Sequence, residues 1–361
     1  MKKIRWWGLL LAAAILFQTA AGFADAVTIQ PDMELVLSDE IIQGIAKANP
    51  DLEGLSPLTG LPTEEAYTPI AVVLDDSPEV FPHWGVADAD WIVQTPLRMD
   101  GATRMMAVYG GAYPEQAGGV RSGRMTTFPV AVMFKAAAAF AGNPPTHGWD
   151  ITVDYWIDEW DYNKPIRYFN LLSGKYAERV DFLEPPQNLS AHIQEMHQRL
   201  LERKVKFEQR AFLFTDEKET RGDEAKAIQM HFLSREEETL GTENLNSACS
   251  FEYQEGTGYL HSSRTGLYTD RDTKEAVPFA NVVVLRCPVE WEGGYPYYKD
   301  HLRYYGQAEY FMNGRHFTGA WYRAGRLARL VLLDDQGQEI SLQRGKTFLA
   351  INDENLVVSY E

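Results

Sequence analysis

Hydrophobic residues in the first half of the chain form short unbroken runs instead of alternating with polar residues. The run from Pro69 to Leu74 is rich in β-branched residues and is stopped by Asp75 and Asp76. A run of this kind, bounded by turn-forming residues, predicts a strand that is buried on both faces. Trp91 to Thr95 and Met105 to Tyr109 have the same character, so two further buried strands are expected.

Helical patterns follow in two stretches. Thr126 to Ala141 is alanine-rich and predicts a helix that begins near Ser122, a residue type favoured at the N-cap. Apolar residues recur every three or four positions from Ser190 to Arg203, which predicts an amphipathic helix with one buried face. Between them, His147 to Tyr162 mixes aromatic and acidic residues, which either stack on sugar rings or form a surface helix whose tryptophans reach the core.

The pattern becomes β-rich from about Phe207, with glycine-containing turns at hairpin distance. We therefore expect an α+β fold with a layered sheet-and-helix N-terminal domain at residues 63–204 and a β-rich, mostly antiparallel C-terminal domain at residues 205–361. Residues 27–62, which end in a proline-rich break, are predicted to be a linker or N-terminal extension. The C-terminal strands are predicted at 211–214, 282–285, 308–312, 317–322, 327–333, 339–342 and 347–351.

Residues 1–26 have the composition of a secretory signal peptide: basic residues, an apolar run and the A-x-A pattern at Ala24 to Ala26. The apolar run is short for a bilayer span, so cleavage is expected and an uncleaved anchor is the alternative. Removing this segment, which carries three basic residues and one acidic residue, changes the net charge from −17 to −19. An extracytoplasmic chain this acidic is not expected to bind nucleic acid or an anionic membrane as a bulk partner.

The chain has two cysteines, Cys249 and Cys287. In an oxidising compartment they are predicted to form a disulfide, and two buried thiols are the alternative. Because no histidine pair lies near them, neither a zinc site nor any cofactor is expected. Common catalytic motifs are also missing: in the stretch Gly119 to Gly123 the serine comes one place too late for a nucleophile elbow.

Charged residues instead gather at the predicted ends of strands. Asp75 and Asp76 follow the first strand, Arg104 begins another, and Arg121 and Arg124 flank the predicted helix start. Backbone N–H groups at a helix N-terminus, together with arginine side chains, suit phosphate or carboxylate. The candidate ligand-binding residues are therefore Asp75, Asp76, Arg104, Arg121, Ser122 and Arg124. The alternative is that the acids and arginines pair with one another and hold the fold together.

At these residues the chain resembles the YerB-like lipoprotein family, extracytoplasmic proteins of Gram-positive bacteria with no assigned activity. The resemblance rests on Pro57 to Pro62, the strand that ends at Asp75, Ala102 to Arg104, and Gly119 to Arg124. It implies an N-terminal α+β domain followed by a β-rich domain.

The chain also departs from the family pattern. No cysteine precedes Cys249, so no lipid anchor is expected. Asp75-Asp76 stands where the family pattern has Asp-Asn, and Gln94 stands where it has a glutamate.

Two hypotheses about function follow. The first is a secreted, envelope-associated binding or accessory protein whose arginines face an anionic or glycan ligand of the cell wall, or an envelope protein. The second is a hydrolase or transferase that acts on a phosphorylated envelope glycopolymer, with Asp75 or Asp76 as acid, base or metal ligand. The oligomeric state does not follow from the sequence.

Overall fold

The computed structural model describes residues 26–143, 152–164 and 167–361. Within these residues the helices are few and short, and strands prevail. None of the described helices has the length and apolarity needed to cross a bilayer. The predicted signal peptide lies outside the described residues, apart from Ala26. The α-helices are α1 (Asp39–Gly44), α2 (Phe128–Met133), α3 (Val153–Glu159) and α4 (Ile193–Glu202).

The strands are numbered in chain order and range from two to nine residues. They are β1 (Val27–Thr28), β2 (Ile70–Leu74), β3 (Trp91–Pro96), β4 (Thr103–Tyr109), β5 (Ala117–Gly118), β6 (Ala137–Phe140), β7 (Tyr168–Asn170), β8 (Ala177–Arg179), β9 (Leu189–Ala191), β10 (Leu213–Thr215), β11 (Asp223–Glu224), β12 (Ala227–Phe232), β13 (Cys249–Gln254), β14 (Gly258–Ser263), β15 (Gly266–Leu267), β16 (Pro278–Phe279), β17 (Asn281–Arg286), β18 (Val289–Glu292), β19 (Tyr295–Tyr298), β20 (Tyr304–Met312), β21 (Arg315–Arg323), β22 (Val331–Asp334), β23 (Ser341–Gln343), β24 (Thr347–Asn352) and β25 (Leu356–Tyr360).

An 11-stranded sheet forms the centre of the molecule, in the order β11-β21-β20-β17-β24-β3-β4-β2-β6-β7, with β22 beside β21. Its pairs are antiparallel except for β17 with β24, β24 with β3, β2 with β6, and β6 with β7. Because β3 pairs with β24, strands from both halves of the chain share one sheet. A second, 7-stranded sheet is antiparallel and has the order β1-β25-β12-β13-β14-β15, with β16 beside β14.

Alternate residues of β2 point into two hydrophobic cores, and all five residues of this strand are buried. Ile70 and Val72 belong to the first core, which includes Phe251 of the 7-stranded sheet. Ala71 and Val73 belong to the second core, together with α2 and α3 residues. The prediction of a strand buried on both faces is therefore confirmed, and its continuous apolar run reflects cover on both sides.

The helix predicted from Thr126 to Ala141 is wrong in extent. The helix α2 ends at Met133, and Lys135 then adopts a positive φ of 52°. The alanines at 137–139 continue as strand β6, which pairs with β2 and β7. Pairing on both sides of β6 outweighs the helix propensity of alanine, which is only a weak preference.

The other predicted helices fare better. The amphipathic helix is α4, with Ile193, Met196 and Leu200 buried. In the aromatic stretch, Trp160 directly follows α3 and lies in the second core. This position favours a surface helix whose tryptophans reach the core over a surface that stacks on sugar rings. Residues 144–151, which include part of this stretch, lie outside the described residues.

The predicted disulfide between Cys249 and Cys287 is wrong, because both cysteines are free, buried thiols. Cys249 belongs to the first core and Cys287 to the second, so the two residues lie in different cores. A disulfide requires Cα atoms within about 7 Å of one another.

The structure is β-rich with antiparallel sheets, as expected of the C-terminal half. The layering of sheet and helix in residues 63–204 stays a prediction. The division into domains at residues 204 and 205 also stays a prediction, since the central sheet contains strands from both sides of it.

Candidate functional site

The candidate residues gather at one edge of the central sheet. Strand β2 ends just before Asp75 and the antiparallel strand β4 begins at Thr103, so both present their ends at the same edge. The segment around Arg121 lies between the ends of β2 and β6. The backbone N–H of Arg121 donates to Val73 O, and the carbonyl of Arg121 accepts from the N–H of Ala141. At this edge Asp75 pairs with Arg104 and Arg121, whereas Asp76 contacts Thr103 and Gln94.

Asp75 is paired with two of the arginines. Its Oδ1 accepts a hydrogen bond of 2.9 Å from Arg104 Nη1, and its Oδ2 lies 2.8 Å from Arg121 Nε. The side chains of Asp75 and Arg104 are both 5% exposed, whereas that of Arg121 is 27% exposed. Arg104 is thus an internal partner, and Arg121 is the arginine of this pair that reaches solvent.

Burial is the largest influence on Arg104 and lowers its pKa to about 10, with the neighbouring Arg124 and Arg121 acting in the same direction. The opposite charge of Asp75 raises it. Three guanidinium groups close enough to perturb one another leave this edge of the sheet with more positive than negative charge.

Arg124 has no carboxylate within ion-pair distance among the described residues. It is partly buried, and its guanidinium lies over the ring of Tyr295 with 5.7 Å between the guanidinium carbon and the ring centroid. Its Nη1 donates to the carbonyl of Gly123 at 2.9 Å. Burial lowers the pKa of Arg124, the charge of Arg121 acts in the same direction, and Tyr295 raises it.

Asp76 points away from the arginines into a neutral polar cluster. Its Oδ2 accepts hydrogen bonds from the hydroxyl of Thr103 and, at 2.9 Å, from Nε2 of Gln94. Burial raises the pKa of Asp76 to about 7, although these two hydrogen bonds lower it. A carboxyl group with this pKa exchanges its proton near neutral pH.

Gln94 acts as the hub of this cluster. Its Nε2 also lies 3.0 Å from Thr103 Oγ1 and 3.1 Å from Ser247 O, and its Oε1 accepts from the thiol of Cys249 at 3.7 Å. Positions 76 and 94, where the resemblance implies asparagine and glutamate, are therefore in contact. Here the amide of Gln94 donates to the carboxylate of Asp76. With asparagine at position 76 and glutamate at position 94, the amide at 76 would donate to the carboxylate at 94, so the hydrogen bond would remain with its direction reversed.

Ser122 does not join the arginines. Its hydroxyl donates to Ala141 O at 2.9 Å, so it fastens the segment to the end of β6. Helix α2 begins only at Phe128 and has fewer than two turns, so the predicted anion site at a helix start near Ser122 does not form.

The two glycines before Arg121 are required by close packing. A Cβ at Gly118 would lie 2.2 Å from the Trp84 ring, and one at Gly119 would lie 2.2 Å from Gln187 O. These distances exclude any larger residue without movement of the backbone. The glycines thus set the path that carries Arg121 to Asp75.

A buried histidine forms a hydrogen bond with the backbone of Asp75. His83 is fully buried, with Nε2 at 2.7 Å from Asp75 O and Nδ1 at 3.2 Å from the Tyr268 hydroxyl. The carbonyl can only accept, so Nε2 carries the proton and Nδ1 accepts from Tyr268. Burial lowers the pKa of His83 to about 4. The sequence offered no signal for His83, for Thr103 as a ligand of Asp76, or for Tyr295.

Within the described residues, no cluster of three or more His, Cys, Asp or Glu side chains has the geometry of a metal site. The charged groups of this edge that are partly open to solvent are Arg121 and Arg124, and Asp76 is the carboxyl group whose pKa is raised to about 7.

Comparisons with known proteins agree with the resemblance. Residues 58–206 match the N-terminal domain, and residues 241–349 the C-terminal domain, of the family described as "Protein of unknown function (DUF3048)". The "Putative lipoprotein YerB" of Bacillus subtilis is 25% identical over 240 residues, which are 64% of this chain and 67% of that protein.

The crystal structure of the YerB protein from Bacillus subtilis shares the fold. Its TM-score is 0.69 at 22% identity, and the match covers 84% of this chain and 99% of that chain. With both domain models matched in the same order along it, the chain belongs to the DUF3048 family of proteins of unknown function.

Proposed function

We propose that the chain is an extracytoplasmic, envelope-associated binding or accessory protein that holds an anionic group between Arg121 and Arg124. The observation that carries the proposal is Arg124, a partly buried guanidinium with no carboxylate at ion-pair distance among the described residues and with two further arginines beside it. A phosphate or carboxylate would neutralise this excess and accept bidentate hydrogen bonds.

The proposal assigns different tasks to the residues. Arg121 and Arg124 contact the ligand, Tyr295 supplies an aromatic face beside it, and Asp75 orients Arg121. Arg104 stays a buried partner of Asp75. A phosphorylated glycan of the cell wall or an acidic segment of an envelope protein has the required charge. A relative that is named as a lipoprotein supports an envelope location.

The test is calorimetric titration of phosphorylated wall fragments into wild type, Arg121→Ala and Arg124→Ala. Loss of a hydrogen bond to a charged group costs about 1.5–3 kcal/mol, so each variant is expected to bind at least tenfold more weakly. Lys218→Gln is the control, since this exposed lysine is paired with Glu255 in a contact that includes no residue of the arginine site. Equal affinity of wild type and both arginine variants would rule the site out.

A second candidate is an enzyme that transfers or hydrolyses a phosphorylated glycopolymer, with the arginines clamping phosphate. Its acid or base would be Asp76, whose pKa of about 7 lies close to the operating pH but whose carboxyl group contacts Thr103 and Gln94 and not the arginines, so Asp76 would have to reorient to reach a bound phosphate. Turnover that is abolished by Asp76→Asn, while binding and folding persist, would support this candidate. If wild type binds the polymer without turnover, the enzyme candidate is ruled out and the binding or accessory role remains.

A further inference from the structure

Basic residues are concentrated in the segment that follows helix α4. Residues 199–210 contain five arginines and lysines and two glutamates, in a chain with a net charge of −17. We call residues 199–210 the basic segment. The local charge of this segment is positive, whereas that of the whole protein is negative. An anionic partner that contacts only this segment is therefore attracted within the screening distance of about 8 Å at physiological salt.

The cations of the basic segment fall into two groups. Arg199 is paired with Glu202 at 3.2 Å, and Arg210 with Glu208 at 2.5 Å. Arg203, Lys204 and Lys206 are exposed and have no carboxylate at ion-pair distance among the described residues. The second group is therefore available to an external anion.

Stabilisation of helix α4 explains only one of the three unpaired cations, Arg203. Arg203 is the C-cap of α4, where a cation interacts favourably with the helix dipole. Lys204 lies past the helix end with φ at 51°, a conformation in which glycine or asparagine is usual. Lys206 is further along the chain. Neither lysine is needed to end the helix.

The backbone of the basic segment is fixed to the body of the protein. Val205 and Phe207 pack against the first core, so Lys206 between them points outward. Arg167 adds to the attachment, since its Nη2 donates to Lys206 O at 3.2 Å and its guanidinium lies over the Phe207 ring. The backbone that carries the cations is thus held in place at Val205, Lys206 and Phe207.

An apolar side chain accompanies the cations. Leu201 is 50% exposed and lies in the last turn of α4, three residues before Lys204 and therefore on the same side of the helix end as that lysine. Cations combined with an exposed leucine match the interface of an anionic bilayer, which takes charge at the headgroups and apolar side chains just below them. A dissolved polyanion would leave the leucine in water.

We propose that the basic segment is a peripheral docking surface for anionic lipid headgroups. Contact through Arg203, Lys204, Lys206 and Leu201 orients the protein on a membrane. The overall negative charge opposes bulk adsorption on an anionic bilayer and keeps the rest of the surface away from it. The surface is independent of the arginine site at the edge of the central sheet.

The test is vesicle sedimentation with protein that begins at Val27, the first residue of the predicted mature chain. Wild type is expected to bind vesicles of mixed phosphatidylcholine and phosphatidylglycerol but not phosphatidylcholine alone. The triple variant Arg203→Gln, Lys204→Asn, Lys206→Gln should lower the partition coefficient at least tenfold, because each cation near an anionic surface strengthens binding about fivefold. Asparagine tolerates the backbone conformation of position 204.

A matched control removes three exposed cations elsewhere, through Arg98→Gln, Lys218→Gln and Lys226→Gln, and should keep wild-type binding. Equal binding of the control and the triple variant, or no binding of wild type to anionic vesicles, overturns the proposal. Leu201→Gln should weaken the binding that survives at high salt. If that variant behaves as wild type and a soluble polyphosphate displaces the vesicles, the surface is a polyanion site and the bilayer assignment fails.

Discussion

Exchanging donor and acceptor between Asp76 and Gln94 tests whether these two side chains act as a pair. Gln94→Glu replaces an amide that donates to Asp76 with a second carboxylate, in a place where both residues are buried. Asp76→Asn keeps an oxygen that accepts from Gln94. In the double variant the new amide can donate to the new carboxylate, so the hydrogen bond returns with its direction reversed.

The magnitude follows from the separation of 2.9 Å between Gln94 Nε2 and Asp76 Oδ2. Loss of the donor leaves a buried acceptor unpaired, at a cost of about 1–3 kcal/mol. Two unit charges about 3 Å apart repel by about 5.5 kcal/mol at an effective dielectric constant of 20. We expect Gln94→Glu to lower the free energy of unfolding by about 3–6 kcal/mol, and the double variant to recover about 1–3 kcal/mol of it.

Urea unfolding of wild type, both single variants and the double variant at about pH 8 gives the coupling energy directly. Asp76 is ionised there, because its pKa in the folded state is about 7. At about pH 5 one carboxyl group of Gln94→Glu can keep its proton, so the penalty should shrink. Single effects that add within about 0.5 kcal/mol at the higher pH would refute the pairing.

Three further predictions concern the same network and the cysteines. Asp75→Asn leaves the buried Arg104 without its carboxylate and should cost about 3–5 kcal/mol in urea unfolding, whereas Asp100→Asn, in the exposed pair with Arg98, should cost less than about 1 kcal/mol; equal costs would contradict the burial argument. Asp76 titrates at about 7 in the folded protein against 3.8 when unfolded, so its folded form binds more protons in this window and its contribution to stability falls as pH rises; Asp76→Asn should gain up to about 4 kcal/mol over wild type between about pH 4 and pH 8, and a pH-independent difference would contradict the assignment. Thiol titration should find two free thiols in denatured, unreduced protein and none that react quickly in the native state; the absence of thiols after denaturation would restore the disulfide.

The strands that could be predicted are those covered on both faces. Val72 and Val73 lie in different cores, so the sequence shows an unbroken apolar run. The residues of strand β12 alternate between partly exposed and buried, which is a strand pattern, but the strand was missed because it directly follows a charged stretch that was interpreted as solvated surface. The helix predicted to Ala141 ends early because Lys135 turns the backbone, and alanine-rich composition gives no sign of that turn.

The candidate site was predictable only where its parts lie close to strand ends. Asp75 follows the end of β2 and Arg104 lies at the start of the antiparallel strand β4, so their proximity follows once these two strands are paired, whereas Arg121 lies in a loop whose position no strand pattern gives. Tyr295 lies in the β18–β19 hairpin, far along the chain from the arginines, and His83 lies in the connection between β2 and β3. No local sequence pattern links either residue to the arginines. Tertiary packing alone brings them there.

The proposed anion site is tested most directly by titrating phosphorylated wall fragments into wild type and into the double variant Arg121→Gln, Arg124→Gln at two salt concentrations. The site predicts saturable binding by wild type that weakens with salt, and no measurable binding by a folded double variant, whose unfolding free energy falls by about 1–3 kcal/mol because the buried Asp75 Oδ2 loses its arginine partner. Binding by a folded double variant with the affinity and salt dependence of wild type would contradict it.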